Sequence, residues 1–93
     1  MRISERKFLA LSGLDPERLN LWIDEEWLIP GKSAEEFDFA NIDIARARFI
    51  RDLQENFGVN NEGVGIVLHL VDQIHGIRRT LAEMRQLVDA QSE

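Results

Sequence analysis

The chain has 93 residues, of which 44% are hydrophobic and 30% are charged, and its net charge is −6. These are ordinary values for a single globular domain, and they exclude wholesale disorder. The chain has no cysteine, no apolar run near the roughly 20 residues that span a membrane, and a charged start unlike a signal peptide, so we expect a reduced, soluble, cytoplasmic protein.

The first two predicted helices form a helix-turn-helix. Ser4 is a favourable N-cap for a short helix, and Gly13 is favourable for its end. Asp15-Pro16 predicts the start of a second helix, which should stop near Trp27 because a proline follows at position 30. The apolar positions at helical spacing in the two helices are Phe8, Leu9, Leu11, Leu19, Trp22 and Ile23.

Residues 28–39 lack a helical period. Pro30-Gly31 marks a turn, and the alternation over residues 36–39 predicts a small hairpin, the wing. Asp38 is predicted to cap a third helix that runs to Phe57 and stops at Gly58. The apolar stripe of that helix comprises Ile42, Ala45, Phe49, Ile50 and Leu53.

The last predicted helix, capped by Asn60 or Asn61, carries the most regular pattern in the chain. Its apolar residues step by three and four, which defines a seam for another helix: Val67, Leu70, Ile74, Ile77, Leu81, Met84 and Val88. A second stripe (Val64, Leu68, Val71) ends before residue 77, so we expect a domain over residues 1–76 and a projecting helix end over 77–93. We predict a homodimer through Ile77, Leu81, Met84 and Val88. Folding back onto the same domain is the alternative, and Arg78 and Arg85 beside the seam count against a simple paired coil.

The sequence shows no catalytic, cofactor or metal-binding set. The serines lie far in sequence from either histidine. His69 and His75 would lie roughly 120° apart around one helix, too splayed to share an ion without outside ligands. The glycines of residues 58–65 lack the lysine and hydroxyl residue of a phosphate loop. We therefore expect a protein that is not an enzyme.

The stretch Trp22-Ile23-Asp24-Glu25-Glu26-Trp27-Leu28-Ile29-Pro30 resembles the end of the recognition helix in MerR-type winged helix-turn-helix domains. Residues 43–50 are similarly close to the next helix of that family. The resemblance implies a mainly α fold: a winged helix-turn-helix with a long C-terminal helix. MerR proteins are dimeric transcription regulators that pair through that helix, so the resemblance also implies a homodimer.

The negative charge is local to the elements that this family brings to DNA. Between residues 14 and 38 eight acids stand against two bases, which accounts for the whole net charge of −6. Affinity for duplex DNA comes mainly from lysine and arginine that neutralise phosphates. The charge therefore argues against DNA as the partner.

A second resemblance agrees with that charge. Residues 57–64 (Phe-Gly-Val-Asn-Asn-Glu-Gly-Val) and 67–74 (Val-Leu-His-Leu-Val-Asp-Gln-Ile), with Asp52-Leu53 before them, resemble the hallmark stretch of the chaperone modulatory proteins, the CbpM family. The resemblance covers Ile3 to about Met84. It implies an adaptor that binds the J-domain of a DnaJ-like co-chaperone (CbpA) and inhibits it. The alternatives are a MerR-like DNA-binding transcription regulator and an assembly protein without a ligand.

J-domains present a basic helix to their chaperone, so an acidic surface is a suitable competitor. Opposite potentials speed encounter, and apolar or aromatic anchors supply most of the affinity. We therefore predict a J-domain surface made of Asp24, Glu25, Glu26, Glu35 and Glu36, with Trp27 or Phe37 as anchors. The polar face of the last helix (Asp72, His75, Arg79) is another candidate.

Overall fold

The computed structural model describes residues 2–33 and 36–91. Within those ranges it has helices α1 (Glu5–Ser12), α2 (Pro16–Asp24), α3 (Asn41–Glu55) and α4 (Asn61–Gln91), and strands β1 (Gly31–Ser33) and β2 (Glu36–Asp38). The predicted fold class, a mainly helical winged helix-turn-helix with a long C-terminal helix, is confirmed. The chain divides into two compact units, Met1–Asn61 and Glu62–Glu93, whereas the sequence placed the boundary at residue 76; α4 is continuous across that point.

The predicted caps of the helix-turn-helix are present. The Ser4 hydroxyl accepts a hydrogen bond from the Lys7 N–H at 3.3 Å, and the Asp15 carboxylate accepts one from the Arg18 N–H at 2.8 Å. Each cap satisfies a backbone donor that the first helical turn leaves without a partner. At the other end of α1, Gly13 adopts the left-handed conformation (φ +76°) that closes many helices.

Helix α2 ends at Asp24, earlier than the predicted stop near Trp27, in a Schellman motif. Glu26 is left-handed at φ +62°, its N–H donates to the Ile23 carbonyl at 3.0 Å, and the Trp27 N–H reaches back to the Trp22 carbonyl at 2.9 Å. The two tryptophan rings lie 6.1 Å apart and supply the apolar contact that accompanies this motif. Trp27 therefore belongs to the helix ending rather than to the helix.

The predicted cap of α3 was wrong by two residues. Asp38 lies in β2, where its carboxylate pairs with Arg2 at 3.1 Å. Ala40 is the N-cap, and the Asp43 side chain accepts a hydrogen bond from the Ala40 N–H at 2.8 Å. The helix ends at Glu55, before the left-handed Gly58.

The core of the first unit lies between the helices and the wing. The Phe8 and Phe39 rings stack at 4.1 Å, and the backbones of Ile3 and Phe39 form a short antiparallel bridge that ties the N-terminus to the wing. The buried apolar side chains of this unit are Ile3, Phe8, Leu14, Leu19, Trp22, Trp27, Leu28, Phe39, Ala47 and Ile50.

Some of the apolar positions named from the sequence are exposed. Leu11 on α1, and Ile42, Ala45 and Phe49 on α3, face solvent. On α3 the buried residues are Ala47 and Ile50, so Ile50 of the predicted stripe faces the core, whereas Ile42, Ala45 and Phe49 lie on the outer side of the helix. On α4, Val64 and Leu68 of the second predicted stripe are buried.

Candidate protein-interaction surface

Helix α2 presents one side to solvent. Leu19 and Trp22 are buried. Because of the helical periodicity, the opposite side of α2 is exposed, and it carries Glu17, Asn20, Leu21 and Asp24. Asp24 is followed by Glu25 and Glu26, which are also exposed. We call these six residues (Glu17, Asn20, Leu21, Asp24, Glu25 and Glu26) the acidic face.

The one base of α2, Arg18, is directed into its own unit. Its guanidinium donates to the Gln54 side-chain oxygen at 2.9 Å and lies 3.6 Å from the Glu55 carboxylate. It also stands 5.2 Å from the centroid of the Trp22 ring, a cation–π geometry. These contacts place the Arg18 charge on the α3 side of the helix, away from the acidic face.

The arginines of α3 donate hydrogen bonds to backbone carbonyls at and just beyond the ends of α1 and α2. Arg48 donates to the Leu11 carbonyl at 3.1 Å, and Arg51 donates to the Ser12 carbonyl at 2.8 Å. The Arg46 side chain donates to the Trp27 carbonyl. The ends of α1 and α2 have no basic residue in their last turns, so α3 supplies the donors and the positive charge that a helix C-terminus favours.

The carboxylates at the end of α2 work against the helix dipole. Asp24, Glu25 and Glu26 follow one another at the C-terminus, which already carries partial negative charge. Glu26 also occupies a left-handed conformation that a side chain rarely adopts. Both features cost folding free energy, and the run of carboxylates concentrates negative potential at one end of the acidic face.

The wing pairs Lys32 with Phe37 across its two strands. The Lys32 ammonium lies 5.8 Å from the Phe37 ring centroid, and the Phe37 ring lies 6.4 Å from that of Phe39. Glu36 is exposed, and Phe37 is half-buried. Glu35, a predicted member of the J-domain surface, lies outside the described residues.

The sequence profile described as MerR HTH family regulatory protein matches residues 3–86. The chain belongs to the MerR helix-turn-helix family. The matched region contains the helix-turn-helix, the wing and most of α4. No curated protein and no solved structure matches the chain.

In this MerR domain, α2 is the second helix of the helix-turn-helix and so corresponds to the recognition helix. The structure brings Asp24, Glu25 and Glu26 together at the end of that helix. Trp27, predicted as an anchor, is only 5% exposed and has no surface to offer a partner, so we assign it to the core. Phe37 keeps part of its ring exposed.

Sequence reasoning missed Leu21. Its side chain is 43% exposed and lies on the acidic face of the MerR domain, between Glu17 one turn before and Asp24 and Glu25 one turn after. Its exposure could have been predicted from the sequence, because helical periodicity places position 21 on a different side of α2 from Leu19 and Trp22. An apolar residue on an outward position is where an interface anchor is expected.

The seam of the MerR domain's α4 is open in the single chain. The side chains of Ile77, Leu81, Met84 and Val88 are 60%, 59%, 56% and 63% exposed. Leu70, Ile74 and Leu87 are exposed as well. An apolar surface of this length is typical of a protein–protein contact.

In residues 2–33 and 36–91 no three histidine, aspartate or glutamate side chains are grouped so that they could hold a metal ion. No helix in those ranges is long and apolar enough to cross a bilayer.

Proposed function

We propose that this MerR-family chain is a co-chaperone modulator, an adaptor that binds the J-domain of a DnaJ/CbpA-like protein and inhibits it. The resemblance of residues 57–64 and 67–74 to the CbpM family supplies the partner. The observation that carries the proposal is the composition of the acidic face. In the part of the chain that the structure describes, the outward side of the recognition helix has carboxylates and no basic side chain.

The acidic face is poorly suited to DNA. A recognition helix enters the major groove between two lines of phosphates, and its affinity depends on cations that replace the condensed counterions. The guanidiniums of Arg18, Arg46 and Arg51 have hydrogen-bond partners inside the helix-turn-helix. Rotating them toward a phosphate would break those bonds, and the acidic face would still repel the polyanion.

The same face suits a basic protein surface. Complementary potentials raise the association rate of two proteins and set their orientation. The basic helix of a J-domain is the surface with which it engages its DnaK-type chaperone, so an adaptor that covers this helix prevents that engagement. The proposed J-domain surface comprises Asp24, Glu25, Glu26, Glu35 and Glu36, with Phe37 as a peripheral contact.

Pairing of two copies through α4 is part of the proposal. The exposed seam residues Ile77, Leu81, Met84 and Val88 repeat at steps of four, three and four, which is the spacing of a helix that packs along another helix. A homodimer would present two acidic faces and so offer two J-domain sites. Its subunits would be identical by symmetry.

The alternative, a DNA-binding transcription regulator, is favoured by the description of the family as regulatory proteins. Arg6 and Lys7 on α1 and Lys32 in the wing are exposed cations that such a function would use. A DNA-binding regulator should be retained on heparin near physiological ionic strength and released by salt. A J-domain adaptor should pass through the column.

The inhibitory function is tested by the ATPase of a DnaK-type chaperone. A CbpA-like co-chaperone from the same organism stimulates that ATPase through its J-domain. Adding the intact chain should return the rate to the unstimulated level, with half of the effect at micromolar concentration, and should leave the chaperone alone unaffected. A stimulated rate that does not change at tens of micromolar chain would contradict inhibition.

A further inference from the structure

We infer that Leu21 is the apolar anchor of a docking face on α2 whose occupant is a basic amphipathic helix of a partner protein. The inference rests on the proposed function, and it replaces the tryptophan anchor that the sequence suggested with a residue that the structure leaves accessible.

The surroundings of Leu21 define the face. Glu17 lies four positions before it, Asp24 three after and Glu25 four after, and these are the positions adjacent to it on a helix surface. Asn20, its remaining outward neighbour, is uncharged. Leu21 is thus a single apolar side chain, 43% exposed, with carboxylates toward both ends of the helix.

The charge of the face selects the occupant. Arg18 is held against Trp22 and Glu55, and no other lysine or arginine belongs to α2. A complementary ligand therefore carries an apolar side chain with lysine or arginine on either side of it. On a helix those groups align when they are three or four residues apart, which is the pattern of a basic amphipathic helix.

The arrangement is that of an interface hot spot with a polar surround. A central apolar group loses its water when the partner docks, and the surrounding charges steer the approach and fix the orientation. The negative end of the α2 dipole adds to the field at Asp24 and Glu25. Removing the apolar group should therefore affect the dissociation rate, while reversing the charges should affect the association rate.

Another exposed apolar site in the same unit lacks this complementarity. Ile29 and Ile42 are 77% and 68% exposed and line a groove of about 500 Å³ at the base of the wing. The charged residues of that groove are two bases and two acids (Arg2, Lys32, Asp38 and Asp43). Because their charges balance, the groove does not select a partner by sign.

The test compares two leucines of nearly equal exposure. Leu21 and Leu11 are 43% and 42% exposed, and they lie on neighbouring helices of the helix-turn-helix. Leu21→Gln and Leu11→Gln make the same chemical change, in the intact chain, on and off the acidic face. Calorimetric titration with the isolated J-domain of a CbpA-like co-chaperone from the same organism should show Kd about tenfold higher for Leu21→Gln and within twofold of wild type for Leu11→Gln.

A conservative variant guards against an indirect effect on folding. Leu21→Met keeps an apolar side chain of similar volume and should bind within twofold of wild type. If the wild type binds and Leu21→Gln binds equally well, or if Leu11→Gln loses as much, the inference is overturned while the proposed function stands. If the wild type does not bind the J-domain at tens of micromolar, the proposed function fails and the inference fails with it.

Discussion

Arg51 occupies the space that a side chain at Gly13 would need. Its guanidinium donates to the Ser12 carbonyl at 2.8 Å, and a Cβ built on Gly13 would overlap the donating nitrogen. The glycine is left-handed, so any side chain at this position is strained, and the Arg51 guanidinium would also have to move to make room for it. This contact joins the first and third helices and directs a cation away from any external partner.

Gly13→Ala should therefore destabilise the chain more than left-handed strain alone explains. The strain costs about 1–2 kcal/mol, and displacing the partly exposed Arg51 should cost about 1 kcal/mol more. Urea unfolding followed by tryptophan fluorescence measures the sum. In an Arg51→Met background the additional cost should disappear, which a double-mutant cycle detects.

Gly58→Ala is the matched control for that substitution. Gly58 is also left-handed, at φ +64°, but a Cβ there meets no atom within 4 Å. Its cost should be the strain alone, about 1–2 kcal/mol. Equal destabilisation by Gly13→Ala and Gly58→Ala would show that the Arg51 contact contributes nothing.

Glu26→Gly should stabilise the chain by about 1 kcal/mol, because glycine adopts the left-handed conformation at a Schellman ending without strain. Glu25→Gly is the control: it removes the same charge one residue earlier, at φ −78°, where glycine gives no conformational benefit. That variant should be neutral or destabilised by up to about 1 kcal/mol. Chemical unfolding of both variants at the same salt concentration measures the change in the free energy of unfolding. If Glu26→Gly were no more stable than wild type, the Schellman ending assigned to α2 would be contradicted.

Leu81→Asp should convert the proposed homodimer to a monomer. The substitution places a carboxylate in the middle of the apolar seam, where burial of an unpaired charge is unfavourable. Gln86→Asp adds the same charge at an exposed position off the seam and should leave the dimer intact. Light scattering at tens of micromolar gives the mass of each. A monomeric wild type, or a dimeric Leu81→Asp chain, would contradict dimerisation through the seam.

Reversing both Glu25 and Glu26 to lysine should slow association with the J-domain about tenfold at low salt, because steering depends on the field of the acidic face. The difference should shrink as ionic strength rises. Glu5→Lys with Glu83→Lys changes net charge equally at other positions and should have a much smaller effect. Stopped-flow association rates compare the two pairs. Similar slowing by both pairs would mean that net charge, rather than the acidic face, governs encounter.

Local signals in the sequence were sufficient for the fold. Ser4, Asp15 and Gly13 are residues whose chemistry suits the helix termini where they stand, and the apolar spacing of α4 identifies a long helix. The left-handed Glu26 was not predictable, because glutamate has no preference for that conformation and the tryptophan contact that accompanies it appears only on folding.

The charge of the candidate site could be predicted from the sequence, but the burial and direction of its individual side chains could not. The distribution of acids and bases along the sequence is enough to locate the acidic segment, whereas Trp27 is excluded as an anchor only by its burial in the folded chain. The direction of Arg18, Arg46 and Arg51 depends on tertiary hydrogen bonds to residues 19 to 39 positions away. Periodicity within one helix does not contain that information.

We propose that the acidic helix-turn-helix of this MerR-family chain binds a basic protein surface instead of DNA. The most direct measurement titrates fluorescently labelled J-domain from a CbpA-like protein of the same organism with the intact chain, beside labelled random duplex DNA at the same physiological salt. We predict saturable J-domain binding with a micromolar or lower Kd and no duplex binding at tens of micromolar. Salt-sensitive duplex binding with no change in the J-domain signal would contradict the claim.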